Sequence, residues 1–94
     1  MLTINAALRR EKGKGASRRL RLINRCPAIV YGGNTDPIAI ELDHDEILNE
    51  QQKKSFYVEK LILIINNKEN TVKVQFIQRH PFKPKVLHID FIRT

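Results

Sequence analysis

The chain has 94 residues, with 17 Lys and Arg against 10 Asp and Glu, a net charge of +7. This length supports one domain over residues 1–94 and leaves no room for a multidomain enzyme or a large cofactor-enclosing pocket. A single cysteine excludes an internal disulfide framework and a Cys-based zinc cluster, and the longest apolar run, Leu61–Ile65, is far too short to span a bilayer.

Residues Met1–Leu8 carry neither the basic start nor the long apolar stretch of a secretory leader, so a soluble domain of a reducing compartment is expected. Leu2, Ile4, Ala6 and Leu8 alternate with Thr3, Asn5 and Ala7, which predicts a first strand. Between Arg9 and Arg25 lie eight basic residues and one acid, Glu11. The rest of the chain is neutral, so this one segment supplies the whole net charge. Such clustering is the footprint of a polyanion partner. Its bland alternative is a solvated tail. Six of the eight are arginines, whose planar fork grips phosphate or guanine edges bidentately.

Gly13-Lys14-Gly15 reads as a loop. It lacks the spacing of a nucleoside-triphosphate loop, and its glycines either admit a phosphate to backbone amides or simply turn the chain. From Ala16 to Asn24 the period changes. Ala16, Leu20 and Ile23 share one helix face, and Arg18, Arg21 and Arg25 the opposite one. Ser17 is placed to cap the first turn, and Leu22 is either exposed or partly packed. Pro27 is expected to end this helix.

Ala28–Tyr31 reads as a strand and Gly32-Gly33-Asn34 as a turn, with a further strand over Pro37–Leu42. Asp43 and Glu46 form a capping-box pattern that predicts a second helix to about Lys53. Phe56, Tyr57 and Val58 give 55–60 strand propensity. Leu61–Ile65 is a buried strand, closed by a turn in which Asn66 or Asn67 takes up positive φ. Val72, Val74 and Phe76 alternate with Lys73 and Gln75. The phase then slips, which predicts a bulge near Phe76-Ile77. Residues 79–85 are an irregular basic connection. In the closing strand Leu87, Ile89 and Phe91 are expected inward, and His88 and Asp90 outward. About six short strands with two helices predict a mostly-β or α+β fold, a small antiparallel-rich barrel with helical inserts.

Few residues invite catalysis. His44, His80 and His88 have no metal-ligand spacing, and His44 belongs to the second helix start. Cys26, read at a helix end, has no reason to be a reactive thiolate. A ribonuclease reading needs two histidines within reach of one phosphate. No metal, cofactor or catalytic residue is expected. Gln75, Gln78, Arg79, His88 and Asp90 form a polar set on late strands, of the types that read base edges; a plain solvated face is the alternative. Tyr31 either stacks on a base or completes the core. Aromatic residues make up only 6%, which favours groove recognition of a folded duplex over single-strand stacking platforms.

Gly13-Lys-Gly-Ala-Ser-Arg-Arg19, Pro27-Ala-Ile-Val-Tyr-Gly-Gly33, Glu41-Leu-Asp-His44, Gln78-Arg-His-Pro81 and His88-Ile-Asp-Phe91 occur in this order. Together they closely resemble the bacterial family of large-subunit ribosomal protein twenty-five, in its short single-domain form. The resemblance spans essentially the whole chain. It implies a six-stranded barrel with helices and a non-catalytic, structural part of the large ribosomal subunit in the cytoplasm. The implied partner is 5S rRNA, bound at its irregular loop E helix, with no membrane and a monomer when free. The family's contacts fall on Arg9, Arg10, Lys14, Ser17, Arg18, Arg21, Tyr31, Gln75, Gln78, Arg79, His88 and Asp90. The family places an acidic residue just after the glutamine at 75; this chain has Phe76, expected in the core instead. A general RNA-binding stress factor is the second reading, separated from the first by whether the chain prefers one RNA.

Overall fold

The computed structural model describes residues 2–9 and 14–94, with the side chain of Lys14 left out. In chain order the elements are β1 (Thr3–Leu8), α1 (Lys14–Leu22), β2 (Arg25–Tyr31), β3 (Ile38–Asp43), α2 (His44–Glu50), α3 (Lys54–Val58), β4 (Leu61–Ile65), β5 (Lys68–Arg79) and β6 (Val86–Arg93). The six strands close into a barrel in the order β1-β3-β2-β6-β5-β4. Four pairings are antiparallel; β1 with β4 and β2 with β6 are parallel. Among the described residues no helix is long and apolar enough to cross a membrane.

The period-two pattern fills the barrel. Ile4, Val30, Ile40, Leu63, Ile89 and Phe91 are fully buried, with Ile47 of α2 and Phe56 of α3 in the same cluster. Asn66 and Asn67 take φ of 51° and 64°, making a two-residue turn between β4 and β5 without glycine. Gly32 takes φ of 96°, and a Cβ there would stand 2.9 Å from Ile92 Cγ1, so glycine is required at this turn. Arg93 Nη1 donates to Gly32 O at 2.7 Å and ties the turn to the last strand.

Several elements depart from the sequence expectations. The first helix begins at Lys14, so Gly15 is helical and Ser17 lies inside the helix rather than at its cap. Pro27 does not end it. The chain leaves the helix at Asn24, in the left-handed region with φ of 63°, and Pro27 sits buried within β2. Because the helix stops there, Ile23 falls off the apolar stripe and is 68% exposed, while Ala16 is buried as expected. Leu22 is 80% exposed. Arg25 leaves the helix with β2 and pairs with Glu41, Nε to Oε1 at 3.3 Å, so it is not part of the arginine comb.

The second helix ends at Glu50, and Lys53 donates back to it at 3.1 Å. Asp43 caps it, accepting from Asp45 N at 3.3 Å. His44 does stand at its start, where its Nε2 accepts the Val86 N–H at 3.0 Å and fastens α2 to β6. Residues 54–58 form a helix, not a strand, because a helical turn lets Phe56 plug the core while Tyr57 stacks edge-on to it at 5.3 Å. Tertiary packing overrides local propensity here.

Candidate nucleic-acid interface

Where β1, α1 and the β5–β6 hairpin meet, an open groove of about 530 Å³ is lined by Arg9, Ser17, Arg18, Arg21, Pro27, Gln78, Leu87 and His88. Residues far apart in the chain converge here for local reasons. Arg9 follows β1, and its Nη2 donates to Ser17 Oγ at 3.2 Å, so a helix residue holds it across the groove. Its buried Nε has no hydrogen-bond partner among the described residues, a costly arrangement for a guanidinium N–H. Arg18 and Arg21 follow one another at three-residue spacing along α1 and face the same groove.

The floor comes from the sheet. On β2, β5 and β6 the residues not facing the core form outward rows. Gln78 lies opposite His88, Phe76 opposite Asp90, and Lys73 opposite Ile92. On the other side of β6, Asp90 neighbours Ile29, and Ile92 neighbours Tyr31. Tyr31 thus lies on this outer face and does not complete the core. His88 Nδ1 stands 3.1 Å from Asp90 Oδ1, linking two rows. Burial pushes the His88 imidazole below its ordinary 6.5, opposed by the Asp90 carboxylate and reinforced by the nearby Arg9 and Arg21 guanidiniums. A neutral ring donating from Nδ1 to Asp90 would leave Nε2 as an acceptor.

Two register shifts shape this floor. The first, between Val74 and Phe76, turns Gln75 and Phe76 outward and returns Ile77 to the core side. Phe76 is therefore 56% exposed, not a core residue. The second, between Gln78 and Arg79, pairs Arg79 with Val86 and leaves Leu87 unpaired. Val86 takes the core position, and Leu87, expected inward, lines the groove beside Pro27. Sequence reasoning assigned neither Pro27 nor Leu87 to the site; the only signal was the apolar pair Val86-Leu87 at the start of an alternating strand.

Arg79 does not join the groove. Successive strand residues face opposite ways, and Arg79 turns toward the helices. There its Nε donates to Gln51 Oε1 at 3.0 Å, Nη2 donates to Tyr57 OH, and the guanidinium stands 5.6 Å from the Tyr57 ring centroid. Of the other expected contacts, Ser17, Arg18, Arg21, Gln78 and His88 line the groove with Arg9, and Tyr31, Gln75 and Asp90 extend its floor. Arg10 and the side chain of Lys14 lie outside the described residues.

The remaining candidates do other work. His80 Nδ1 accepts the N–H of Phe82 and of Lys83, each at 3.1 Å, and so shapes the β5–β6 connection. It lies in a separate hollow with Arg79 and Lys83, so the two histidines of the ribonuclease reading do not converge. Cys26 is in a strand rather than at a helix end, and burial pushes its thiol up to about 12. That environment makes a packing residue, not a nucleophile.

The groove is thus basic on one wall and polar on its floor, the combination a folded RNA presents a match for. Comparison with known proteins decides the lineage. The profile of the ribosomal L25p family matches residues 4–91. The chain belongs to that family. It is 64% identical to the large ribosomal subunit protein bL25 of Sodalis glossinidius and 62% identical to that of Photorhabdus laumondii, in each case over all 94 residues and the full length of both chains. The bL25 of Cronobacter sakazakii is 63% identical over the same span. The family is one of ribosomal proteins, not of enzymes, and its members provide the setting in which the groove is to be understood.

Proposed function

We propose that this chain is a structural constituent of the large ribosomal subunit that binds 5S rRNA at its irregular loop E helix. The observation that carries the reading is the convergence of Arg9, Arg18 and Arg21 over the outward row Gln78–His88. The arginines supply phosphate and groove-edge contacts, which set affinity and register. The floor supplies acceptors and amides: Gln78, neutral His88 and Asp90 read donors on base edges and 2′-hydroxyls. Arg79, held by Gln51 and Tyr57, contributes from the neighbouring side of the hairpin. Arg10 and Lys14 are proposed as further basic contacts to the RNA. The single domain over 1–94 acts as a monomer when free, a reading supported by the closed barrel, which among the described residues leaves no strand edge to pair with another copy.

The test is a pull-down that sequences the captured RNA, followed by titration against 5S rRNA and a regular duplex of equal length. Enrichment of 5S rRNA, tighter binding to it than to the duplex and protection of one irregular segment are expected. Equal affinity for the two RNAs would instead favour a general RNA-binding factor.

A further inference from the structure

Phe76 is the largest apolar side chain on the outward face of β5 and β6, and the backbone is built to put it there. Val72 is buried and Val74 packs against the core. Strict alternation would carry Phe76 inward after them. The register shift between Val74 and Phe76 reverses its direction, and Ile77 packs against the core in its place. Bulges of this kind re-aim a side chain beside a site. The result is an aromatic ring 56% exposed, between Gln75 and Gln78 in sequence and opposite Asp90 across the ladder.

The neighbours limit what can cover that ring. The Asp90 carboxylate repels a phosphate, so an RNA backbone is disfavoured at this row, while a base or ribose donor is welcomed. A phenyl ring offers no hydrogen bond and no charge; it offers a face. In a regular A-form helix the bases are stacked on one another and leave no face free. An irregular helix, with non-Watson–Crick pairs, presents an unstacked one.

We propose, resting on the 5S rRNA reading above, that Phe76 is a specificity-determining residue whose ring stacks on an unstacked nucleobase of the bound RNA. It distinguishes an irregular RNA helix from a regular one, and it contributes affinity that does not depend on salt. Asp90, beside it, accepts a hydrogen bond from the same nucleotide or its neighbour.

Two variants test this. Phe76→Ala lowers affinity for 5S rRNA about 5- to 150-fold, the range expected for losing one stacked base. It leaves affinity for a regular duplex, the melting temperature and the salt slope unchanged. Phe76→Trp places the only tryptophan in a chain that has none. Its fluorescence is quenched by 5S rRNA and not by the regular duplex, and its binding stays within a few-fold of the parent. Discrimination unchanged by Phe76→Ala would overturn the proposal, as would tryptophan fluorescence equally affected by both RNAs. A fluorescence change on concentrating the protein without RNA would also overturn it, by assigning the ring to a contact between copies. If the parent chain itself fails to prefer 5S rRNA, the fault lies with the underlying reading rather than with Phe76.

Discussion

The barrel and helix α1 are held in opposite ways. Inside the barrel Leu63, Ile89 and Phe91 are fully buried, and every strand has two neighbours. Helix α1 buries Ala16 and leaves Leu22, like Ile23 just after it, mostly in water, yet it carries Arg18, Arg19 and Arg21. The barrel is stabilised by what it hides. The helix is placed by a modest anchor and defined by what it shows. The arginines of α1 and the core thus occupy separate parts of the described structure, so the proposed affinity for RNA and stability are separable by mutation.

The largest test of that separation lies in the core. Ile89→Ala should destabilise the fold by about 2–5 kcal/mol in urea denaturation, because a close-packed barrel cannot collapse around the cavity. Ile23→Ala, on the exposed end of the helix region, should stay within about 0.5 kcal/mol. Equal costs would mean that α1 is packed as tightly as the barrel. Next comes the opposite pattern. Arg21→Ala should weaken 5S rRNA binding by about 1–3 kcal/mol, measured by filter retention, and leave the urea midpoint unchanged.

A smaller effect sharpens where the two regions meet, at His88. Its imidazole is held below 6.5, so on acidification the unfolded chain takes up a proton before the folded one does. Between the folded value and 6.5 the unfolded state binds more protons, and stability rises with pH through that window. Comparing urea midpoints at pH 5 and 7.5, the parent should lose more stability on acidification than His88→Gln. An identical loss would remove His88 from the account. Arg25→Ala, in turn, should cost at most about 1 kcal/mol, since the Arg25–Glu41 pair is partly exposed.

The same division governs how much was legible in the sequence. Strand periodicity and asparagine turn chemistry are local, and β1, β4 and the β4–β5 turn follow from them. So does the assignment of all net charge to one segment. What escaped was set by contacts distant in sequence. Residues 54–58 look like a strand until the core calls for Phe56. The bulge expected near Phe76-Ile77 is there, as a shift between Val74 and Phe76, but its exact step, which decides whether Phe76 is core or surface, was not legible. A second shift exchanges Val86 and Leu87 in the same way. Arg79 looks like its neighbour Gln78 in composition, yet the strand sends it to Gln51 and Tyr57 instead. A face is thus readable wherever the register is regular, and the site is built where it is not.

The most direct measurement is the salt dependence of 5S rRNA binding by the parent and by the Arg18→Ala/Arg21→Ala variant. For roughly five phosphate contacts the parent's log affinity should fall with log salt at a slope of about −4 to −5. The variant's slope should be shallower by about 2, at an unchanged melting temperature. Parallel slopes, or loss of binding only through loss of folding, would contradict the assignment of the arginine helix as the electrostatic anchor.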